Sequence, residues 1–193
     1  MKRFNGYNPA IHNEYEALPA GGYICRVENA EVVRYGDSEQ LKLSIDIADG
    51  EYKDFYAKKY RNDDRPLKKW SGVFGLWLPK DDGSKMDRWA VNRFNNFIGC
   101  IEDANPGYCF DWDEGKLKGK TVALVFREEE FMKDDGSIGA FVKPFKAISV
   151  GDCRDGKWGK YDRFTPKKLR DVASYSSSGG FGEISEDDET LPF

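Results

Sequence analysis

Residues 41–48 alternate without exception between large apolar side chains and polar or small ones. The apolar positions are Leu41, Leu43, Ile45 and Ile47. Because successive side chains of a β-strand lie on opposite faces, a period of two predicts a strand with one face in a core. This pattern is the clearest secondary-structure signal in the chain, and it requires a fold in which a sheet covers a core on one side.

Two neighbouring segments are also predicted as strands. Residues 23–33 are rich in β-forming side chains and alternate imperfectly, and residues 55–60 have the composition of a third strand. A polar connection containing Pro and Gly then extends to about residue 83. Connections of this length inside a compact domain are usually functional, so this one is a candidate site.

The second half of the chain contains a predicted helix and a predicted hairpin. Aromatic and aliphatic side chains recur at helical spacing over residues 86–102. Residues 121–126 form a nearly all-apolar strand, residues 133–136 a turn, and residues 141–150 the returning strand. Pro144 predicts that this last strand is an edge strand or contains a bulge, because proline cannot donate a hydrogen bond.

The predicted order is three strands, one helix and a two-stranded hairpin. This is the order of an oligonucleotide-binding fold (OB-fold), in which five strands form a Greek-key barrel and a helix lies between the third and fourth strands. We therefore predict a mainly β chain in three parts. An N-terminal arm covers residues 1–20, an OB-fold domain residues 21–170, and a flexible linker with a disordered acidic tail residues 171–193.

Acidic residues are concentrated near the C-terminal end of the chain. Of 34 acidic residues, six lie in residues 171–193, which contain no Lys or Arg, and the whole chain has a formal net charge of -4. The preceding part therefore has 30 basic and 28 acidic residues, a net of +2. A slightly basic body with an acidic tail is typical of a nucleic-acid binder whose tail competes for the same groove. The negative total argues against a histone-like binder.

The cysteines and the single histidine form no metal-binding or disulfide pattern. Cys25, Cys100, Cys109 and Cys153 are widely separated, and His12 alone cannot complete a zinc site of usual spacing. The sequence also has no apolar stretch long enough to span a bilayer and no signal peptide. We therefore expect a cytoplasmic protein with no membrane segment, metal, disulfide or cofactor.

Aromatic and basic side chains are interleaved between residues 52 and 77 and again near the last predicted strand. Single strands are bound without base readout when bases stack on aromatic rings and cations follow the phosphates. On the predicted third strand, Tyr56, Lys58 and Tyr60 share one face. The candidate residues for binding single-stranded DNA (ssDNA) are Tyr56, Lys58, Tyr60, Arg61, Lys68, Lys69, Trp70, Trp77, Lys143, Lys146 and Trp158.

The last residues of the chain combine a run of carboxylates with an apolar tip. Phe193 can enter an apolar pocket while its α-carboxylate and the preceding acids meet a basic rim, so the segment is a candidate docking peptide. The candidate partner-binding residues are Asp187, Asp188, Glu189, Leu191, Pro192 and Phe193.

This ending resembles the acidic tip of bacterial and phage ssDNA-binding proteins, which closes with several Asp residues, an aliphatic residue, Pro and Phe. Glu189 and Thr190 depart from an unbroken Asp run. The chain is also similar to a family of phage proteins found with replication and recombination functions, through residues 18–23, 105–108 and 118–120. The resemblance implies an OB-fold without enzymatic activity that coats ssDNA during replication, recombination and repair of phage DNA. It also implies a tail that recruits partner proteins in the host cytoplasm, and it leaves open whether the protein is a homo-oligomer.

Two other functions are compatible with the sequence. A recombination-mediator or protein-interaction module would use the same barrel to bind a protein. A Mg²⁺-dependent nuclease could use Glu114 and Lys116 with Asp111 and Asp113 nearby, because carboxylates hold Mg²⁺ and position water. The flanking residues favour a turn over a strand-borne site, which argues against the nuclease.

Overall fold

Strands form most of the regular structure of this chain. The structure is a computed structural model that describes residues 17–134, 136–159 and 163–164, the last pair as backbone only. The strands are β1 (Gly21–Tyr35), β2 (Ser38–Ile47), β3 (Val73–Trp77), β4 (Thr121–Met132), β5 (Ile138–Ile148) and β6 (Arg163–Phe164). The helices are α1 (Phe55–Arg61), α2 (Lys85–Ala104) and α3 (Val150–Arg154), and Glu114–Leu117 forms a 3₁₀ turn. The prediction of a mainly β chain is confirmed.

Five strands form one antiparallel sheet in the order β3-β2-β1-β4-β5. The short β6 pairs with β4 in parallel. The described strands include no hydrogen-bonded ladder between β3 and β5, although these two strands lie near each other. The sheet therefore curls around a core but stays open along one gap, which we call the seam.

The core lies on the concave side of the sheet. The four apolar side chains that predicted β2 are all buried there, which confirms that strand and its inward face. Phe74 and Leu76 of β3 and Val27 of β1 extend the same layer. Residues 122–126 of β4 are all buried and do not alternate with exposed residues. The core covers this strand, and α3 contacts it as well. The predicted strands over residues 23–33 and 121–126 are therefore confirmed, and both are longer than predicted.

Helix α2 begins at an N-cap serine. It lies along the seam and contacts both β3 and β5. The Ser84 hydroxyl accepts a hydrogen bond from the Asp87 N–H at 3.0 Å, which satisfies a donor that has no partner within the helix. Phe94, Phe97 and Ile101 face the core, so the helix predicted over residues 86–102 and its apolar stripe are confirmed.

Residues 55–60 form a helix, so the prediction of a third strand there is wrong. Asp46 of β2 is 1% exposed, and its carboxylate accepts from the N–H groups of Tyr56 (2.9 Å) and Ala57 (3.0 Å) at the start of α1. A carboxylate here satisfies unpaired helix donors and interacts favourably with the helix dipole. The acceptor belongs to another element, and no pattern within residues 55–60 reveals it.

The third strand of the sheet lies instead within the predicted connection. β3 pairs with β2 from Ser44 opposite Val73 to Gln40 opposite Trp77. The connection up to residue 83 is therefore shorter than predicted, because it contains one strand of the sheet.

The predicted hairpin is confirmed, with β4 ending at Met132 and β5 beginning at Ile138. The Lys133 N–H donates to the Ser137 carbonyl at 2.8 Å, and Gly136 has a positive φ of 80°. The β4–β5 pairing shifts register where Phe126 lies opposite Pro144. Pro144 therefore sits at a bulge, as predicted for a residue without an N–H.

No helix within the described residues is long and apolar enough to cross a bilayer. Residues 1–16 of the predicted arm and the whole predicted tail, residues 171–193, lie outside the described part of the chain.

Candidate nucleic-acid interface

The convex side of β2 and β3 is lined mostly by small and polar side chains. Because Leu41, Leu43 and Phe74 point into the core, the alternate residues of both strands point outward. We call this surface the outer β2–β3 face, and its residues are Gln40, Lys42, Ser44, Val73, Gly75 and Trp77.

The middle of the outer β2–β3 face contains a glycine that a neighbouring side chain covers. Gly75 lies opposite Lys42, and the side chain of Gln40 lies across it. A Cβ at Gly75 would come within 2.8 Å of the Gln40 Nε2 atom, so a larger residue would displace that side chain. The amide of Gln40 therefore occupies the middle of this face and offers a hydrogen-bond donor and acceptor there.

An aromatic pair marks one end of the outer β2–β3 face. The rings of Tyr35 and Trp77 lie 5.7 Å apart in an edge-to-face arrangement. Tyr35 is 49% exposed and Trp77 is half-buried, so the pair offers aromatic surface to solvent. Tyr35 lies in β1 opposite Ser38, at the tip of the β1–β2 hairpin.

A second aromatic pair lies at the opposite end of the same ladder. The Trp70 indole N–H donates to the carbonyls of Ile45 (3.1 Å) and Gly72 (3.0 Å), where β2 meets the chain entering β3. The ring of Tyr60, on α1, lies 5.9 Å from the Trp70 ring and is 39% exposed. The hydrogen bonds of the Trp70 indole therefore fix its ring at the end of the ladder, and the exposed Tyr60 ring packs beside it.

Cationic side chains surround the second aromatic pair. The Lys68 ammonium lies 5.9 Å from the centre of the Tyr60 ring and 3.4 Å from the Arg61 carbonyl. The other exposed cations of α1 and the following loop include Lys58, Lys59, Arg61 and Lys69. Together with Tyr60, Lys68 and Trp70 they form a surface that we call the α1 basic patch.

One cation near this patch is already paired within the loop. Arg65 contacts Asp63 at 2.6 Å. Hydrogen bonds from Arg65 lower the pKa of Asp63 to about 2. This carboxylate therefore stays ionised at neutral pH and offsets the charge of Arg65.

Most candidates from residues 52–77 are therefore brought together, but Tyr56 is not among them. Lys58, Tyr60 and Arg61 lie on α1 rather than on a strand, and they still share a surface with Lys68, Lys69 and Trp70. Tyr56 is only 5% exposed, and its ring lies against Gly72 and Phe55. Its assignment as a stacking residue is wrong, because a buried ring cannot receive a base.

The three candidates from the later part of the chain lie elsewhere. Lys143 and Lys146 are on β5, and Lys146 borders the seam. Trp158 follows α3, and its ring covers Gly21 and Gly22 of β1, where that strand pairs with β4. Trp158 is therefore half-buried against the sheet on the β1–β4 side.

Sequence reasoning missed an aromatic surface on the β4–β5 hairpin. Residues 127–132 and 138–143 pair with each other beyond the end of the β1–β4 ladder, and we call them the hairpin arm. Phe131 and Phe141 lie on one side of it with ring centres 5.6 Å apart, and they are 40% and 45% exposed. The Phe131 ring lies across Gly139, where a Cβ would come within 2.7 Å of it. The strand predicted over residues 121–126 ends before this extension, because the apolar run stops there while β4 continues to Met132.

The hairpin arm also holds two cations around one carboxylate. Glu129 is 8% exposed and accepts from Arg127 at 2.7 Å and from Lys143 at 2.6 Å. The Arg127 guanidinium lies 3.5 Å from the centre of the Phe145 ring, and burial lowers the pKa of Arg127 below its ordinary value. The Glu129 carboxylate therefore holds Arg127 and Lys143 on the same side of the arm.

The residues of the alternative nuclease site form an ion-paired turn. Lys116 contacts the carboxylates of Asp111 and, at 3.8 Å, Asp113, and the Asp113 side chain accepts from the Gly115 N–H at 3.0 Å. Glu114 begins the 3₁₀ turn. Among residues 17–134 and 136–159, no group of three or more His, Cys, Asp or Glu side chains is arranged to hold a metal ion.

Comparison with protein-family models finds no matching family, and comparison with curated protein sequences finds no significant match. A function is therefore inferred from the geometry and chemistry of these surfaces.

Proposed function

We propose that this protein binds ssDNA along the outer β2–β3 face and coats it during phage DNA replication and recombination. The observation that carries the proposal is the position of the two aromatic pairs, Tyr35–Trp77 and Tyr60–Trp70, at opposite ends of one strand ladder. The five residues of β3 separate the two ends by about 13 Å at a rise of about 3.3 Å per residue. Bases stack on the rings, and the lysines follow the phosphates.

The chemistry of these surfaces suits a single strand better than a duplex. In both aromatic pairs the contact with DNA would be made by the faces and edges of the rings. A base can reach a ring only when that base is unstacked from its neighbours in the strand. Stacking on an exposed ring contributes about 1 to 3 kcal/mol per base and tolerates any sequence. The cations of the α1 basic patch are expected to contact phosphates, not base edges. Because phosphates are the same for every base, binding is expected to be largely independent of sequence.

The strand order supports an OB-fold for this domain. In an OB-fold, the first strand pairs with the second and fourth, and a helix lies between the third and fourth. The order β3-β2-β1-β4-β5 and the position of α2 agree with that arrangement. Oligonucleotides bind OB-folds on the face of strands 2 and 3 between two hairpin loops, which here correspond to the Tyr35 tip and the hairpin arm. Phe131, Phe141 and Lys143 then extend the path.

We also propose that the acidic segment, residues 186–193, recruits partner proteins and competes with DNA. Its carboxylates have the sign that the α1 basic patch attracts, and its apolar Leu191, Pro192 and Phe193 suit a docking pocket on a partner. Removal of residues 183–193 is expected to tighten ssDNA binding at low salt and to abolish partner binding. Unchanged affinity for both ligands would rule out this role.

The decisive experiment is a titration of the full chain with oligo-dT and with duplex DNA of equal length, followed by tryptophan fluorescence. Single strands are expected to quench the signal and duplexes to bind more weakly, because Trp70 and Trp77 lie in the proposed site. Tyr35→Ala is expected to weaken ssDNA binding by about 1 to 3 kcal/mol. Glu114→Ala is the matched control, because Glu114 lies outside the proposed site.

The same experiment separates the alternatives. A protein-interaction module would leave the fluorescence unchanged on adding oligo-dT. A nuclease would cleave the oligonucleotide when Mg²⁺ is added and would lose that activity in Glu114→Ala. Either result would contradict the proposed function.

A further inference from the structure

A cleft of about 410 Å³ opens at the end of the outer β2–β3 face where the Tyr35–Trp77 pair lies. It is bounded by the tip of the β1–β2 hairpin, the end of β3, residues 78–84 and the start of α2. We call it the β3–α2 cleft. Pockets for small organic ligands have volumes of about 300 to 1,000 Å³, so this cleft is large enough to hold one. Because Tyr35 and Trp77 line it, the cleft and the outer β2–β3 face form one continuous surface.

Three aromatic rings from three different elements line the β3–α2 cleft. Tyr35 belongs to β1, Trp77 to β3 and Trp89 to α2. Met86 and Ala90 of α2 add aliphatic surface. Aromatic rings pack against other flat rings by offset stacking or by edge-to-face contact. The lining is therefore suited to a flat ring, which can contact more than one wall at once.

The walls of the cleft are held in place by hydrogen bonds within the protein. The Leu78 N–H donates to the Glu39 carbonyl at 2.8 Å, which ties the end of β3 to β2. The Asp87 carboxylate accepts from the N–H groups of Lys80 (2.7 Å) and Asp81 (3.0 Å), which ties the loop before α2 to the helix. A site that is ordered before binding loses less entropy when a ligand arrives.

The charges in the cleft favour a neutral ligand over an anion. Its lining contains the carboxylates of Asp82 and Asp87 and one cation, Lys80. Two carboxylates in a concave site repel a phosphate group, and they also repel the acidic segment, residues 186–193. Lys80 is exposed, so it can contact a phosphate that stays in solvent. The ligand that fits is an uncharged flat ring carried by an anionic backbone.

We propose that the β3–α2 cleft takes up one nucleobase of the bound single strand. The base leaves the path along the outer β2–β3 face at Tyr35 and packs among the rings of Trp77 and Trp89, while its phosphate stays at the surface. This inference rests on the proposed function, because the strand must first reach the Tyr35–Trp77 pair. It adds a second kind of contact, a base enclosed in a cleft, which fixes the strand at one point along the face.

The first test fills the cleft of the full chain with a larger side chain. Met86 lines the cleft and Val91 does not, and both lie on α2 and are 36% exposed. Met86→Trp is therefore the test variant, and Val91→Trp is its matched control. The probes are end-labelled oligo-dT and an abasic strand of the same length, which has the same phosphates and no bases. Fluorescence anisotropy of the label measures binding, because the added tryptophan does not contribute to that signal.

Met86→Trp is expected to bind oligo-dT about tenfold more weakly than Val91→Trp, because one base loses its stacking surface. The abasic strand is expected to bind both variants equally, because it has no base to insert. Since both positions are exposed, the two variants are expected to melt at the same temperature.

A second pair of variants removes a ring instead of adding one. Trp89→Leu takes away the wall of the cleft that α2 provides. Trp112→Leu is its control, because Trp112 is 81% exposed, stacks on Phe94 and does not line the cleft. Trp89→Leu is expected to weaken binding of oligo-dT about tenfold relative to Trp112→Leu and to leave binding of the abasic strand unchanged.

Two results would overturn the inference and keep the proposed function. If the unmodified protein binds oligo-dT and both test variants bind it as their controls do, the cleft holds no base, and a side chain of a partner protein becomes the better occupant. If the test variants lose the same affinity for the abasic strand as for oligo-dT, the loss does not come from a base. If the unmodified protein does not bind oligo-dT at all, the proposed function itself is wrong, and this inference fails with it.

Discussion

The guanidinium of Arg93 donates to the main-chain carbonyl of Phe145 at 2.6 Å, across a seam where the described strands form no ladder. Asn96, one turn further along α2, donates to the carbonyl of Ala147 at 2.8 Å. Side chains of a helix thus satisfy carbonyls of β5 on the side where a neighbouring strand would do so. Because helix side chains take the place of a neighbouring strand here, the sheet encloses a core without a ladder between β3 and β5.

Loss of one of these bonds is expected to weaken the attachment of α2. Asn96→Ala should lower the free energy of unfolding by about 1 kcal/mol relative to Asn95→Ala, because the Ala147 carbonyl loses its donor. Both changes raise helix propensity equally, so the comparison isolates the hydrogen bond. Urea denaturation of the two variants measures the difference, and equal midpoints would show that the bond contributes nothing.

Removal of the Tyr60 ring is expected to weaken ssDNA binding. Tyr60→Ala should cost about 1 to 3 kcal/mol of binding free energy, because the stacking surface beside Trp70 is lost. Tyr60→Phe keeps the ring and should bind almost as the unmodified protein does. Fluorescence titration with oligo-dT distinguishes them, and equal losses in both variants would point to the hydroxyl instead.

Neutralising one lysine of the α1 basic patch is expected to change the salt dependence of binding. Each phosphate contact on a single strand contributes about -0.7 to the slope of log K against log salt, because counterions are released. Lys58→Gln should therefore reduce the magnitude of the slope by about 0.7. Lys157→Gln is the control, because Lys157 is paired with Asp152 and Asp155 at 3.0 Å. Lys157 is also next in sequence to Trp158, which lies against β1 and not in the α1 basic patch. An identical slope in both variants would show that Lys58 does not contact a phosphate of the bound strand.

Stability is expected to fall at alkaline pH. Burial raises the pKa of Tyr23 from 10.0 to about 12, and its hydroxyl donates to the Pro19 carbonyl at 2.8 Å. The folded state therefore holds this proton more tightly than the unfolded state. The contribution is complete below pH 10 and is lost as the pH rises towards 12. Melting temperatures of Tyr23→Phe should decline less steeply over this range, whereas the exposed Tyr35→Phe should follow the unmodified protein.

The fold could be predicted where burial imposes a local period. β2 and the apolar stripe of α2 each face the core on one side only, so their sequences carry the periods of a strand and a helix. α1 and β3 could not be predicted in this way. α1 depends on the carboxylate of Asp46, and β3 is a strand because β2 presents a ladder to it. Both are determined by residues distant in sequence.

The candidate site was predicted in composition better than in geometry. The structure brings Tyr60, Lys68 and Trp70 from the interleaved aromatic and basic segment together on one surface. The composition could not separate Tyr60 from Tyr56, because only the packing of α1 against Gly72 decides which ring is buried. Tyr35 gave no signal, since it joins Trp77 only through the pairing of three strands.

Pro144 also affects how this chain meets other chains. A strand that lacks a neighbour usually offers a continuous row of N–H and C=O groups, which invites strands of other molecules to add and aggregate. Pro144 leaves β5 with one N–H fewer, and the bulge between Pro144 and Lys146 breaks the regular spacing of the main-chain groups along this strand. With Arg93 and Asn96 occupying two carbonyls nearby, the open border of the sheet is a poor template for intermolecular strand addition. The proposed coating of ssDNA would place many copies side by side, and resistance to strand addition would keep such neighbours from aggregating.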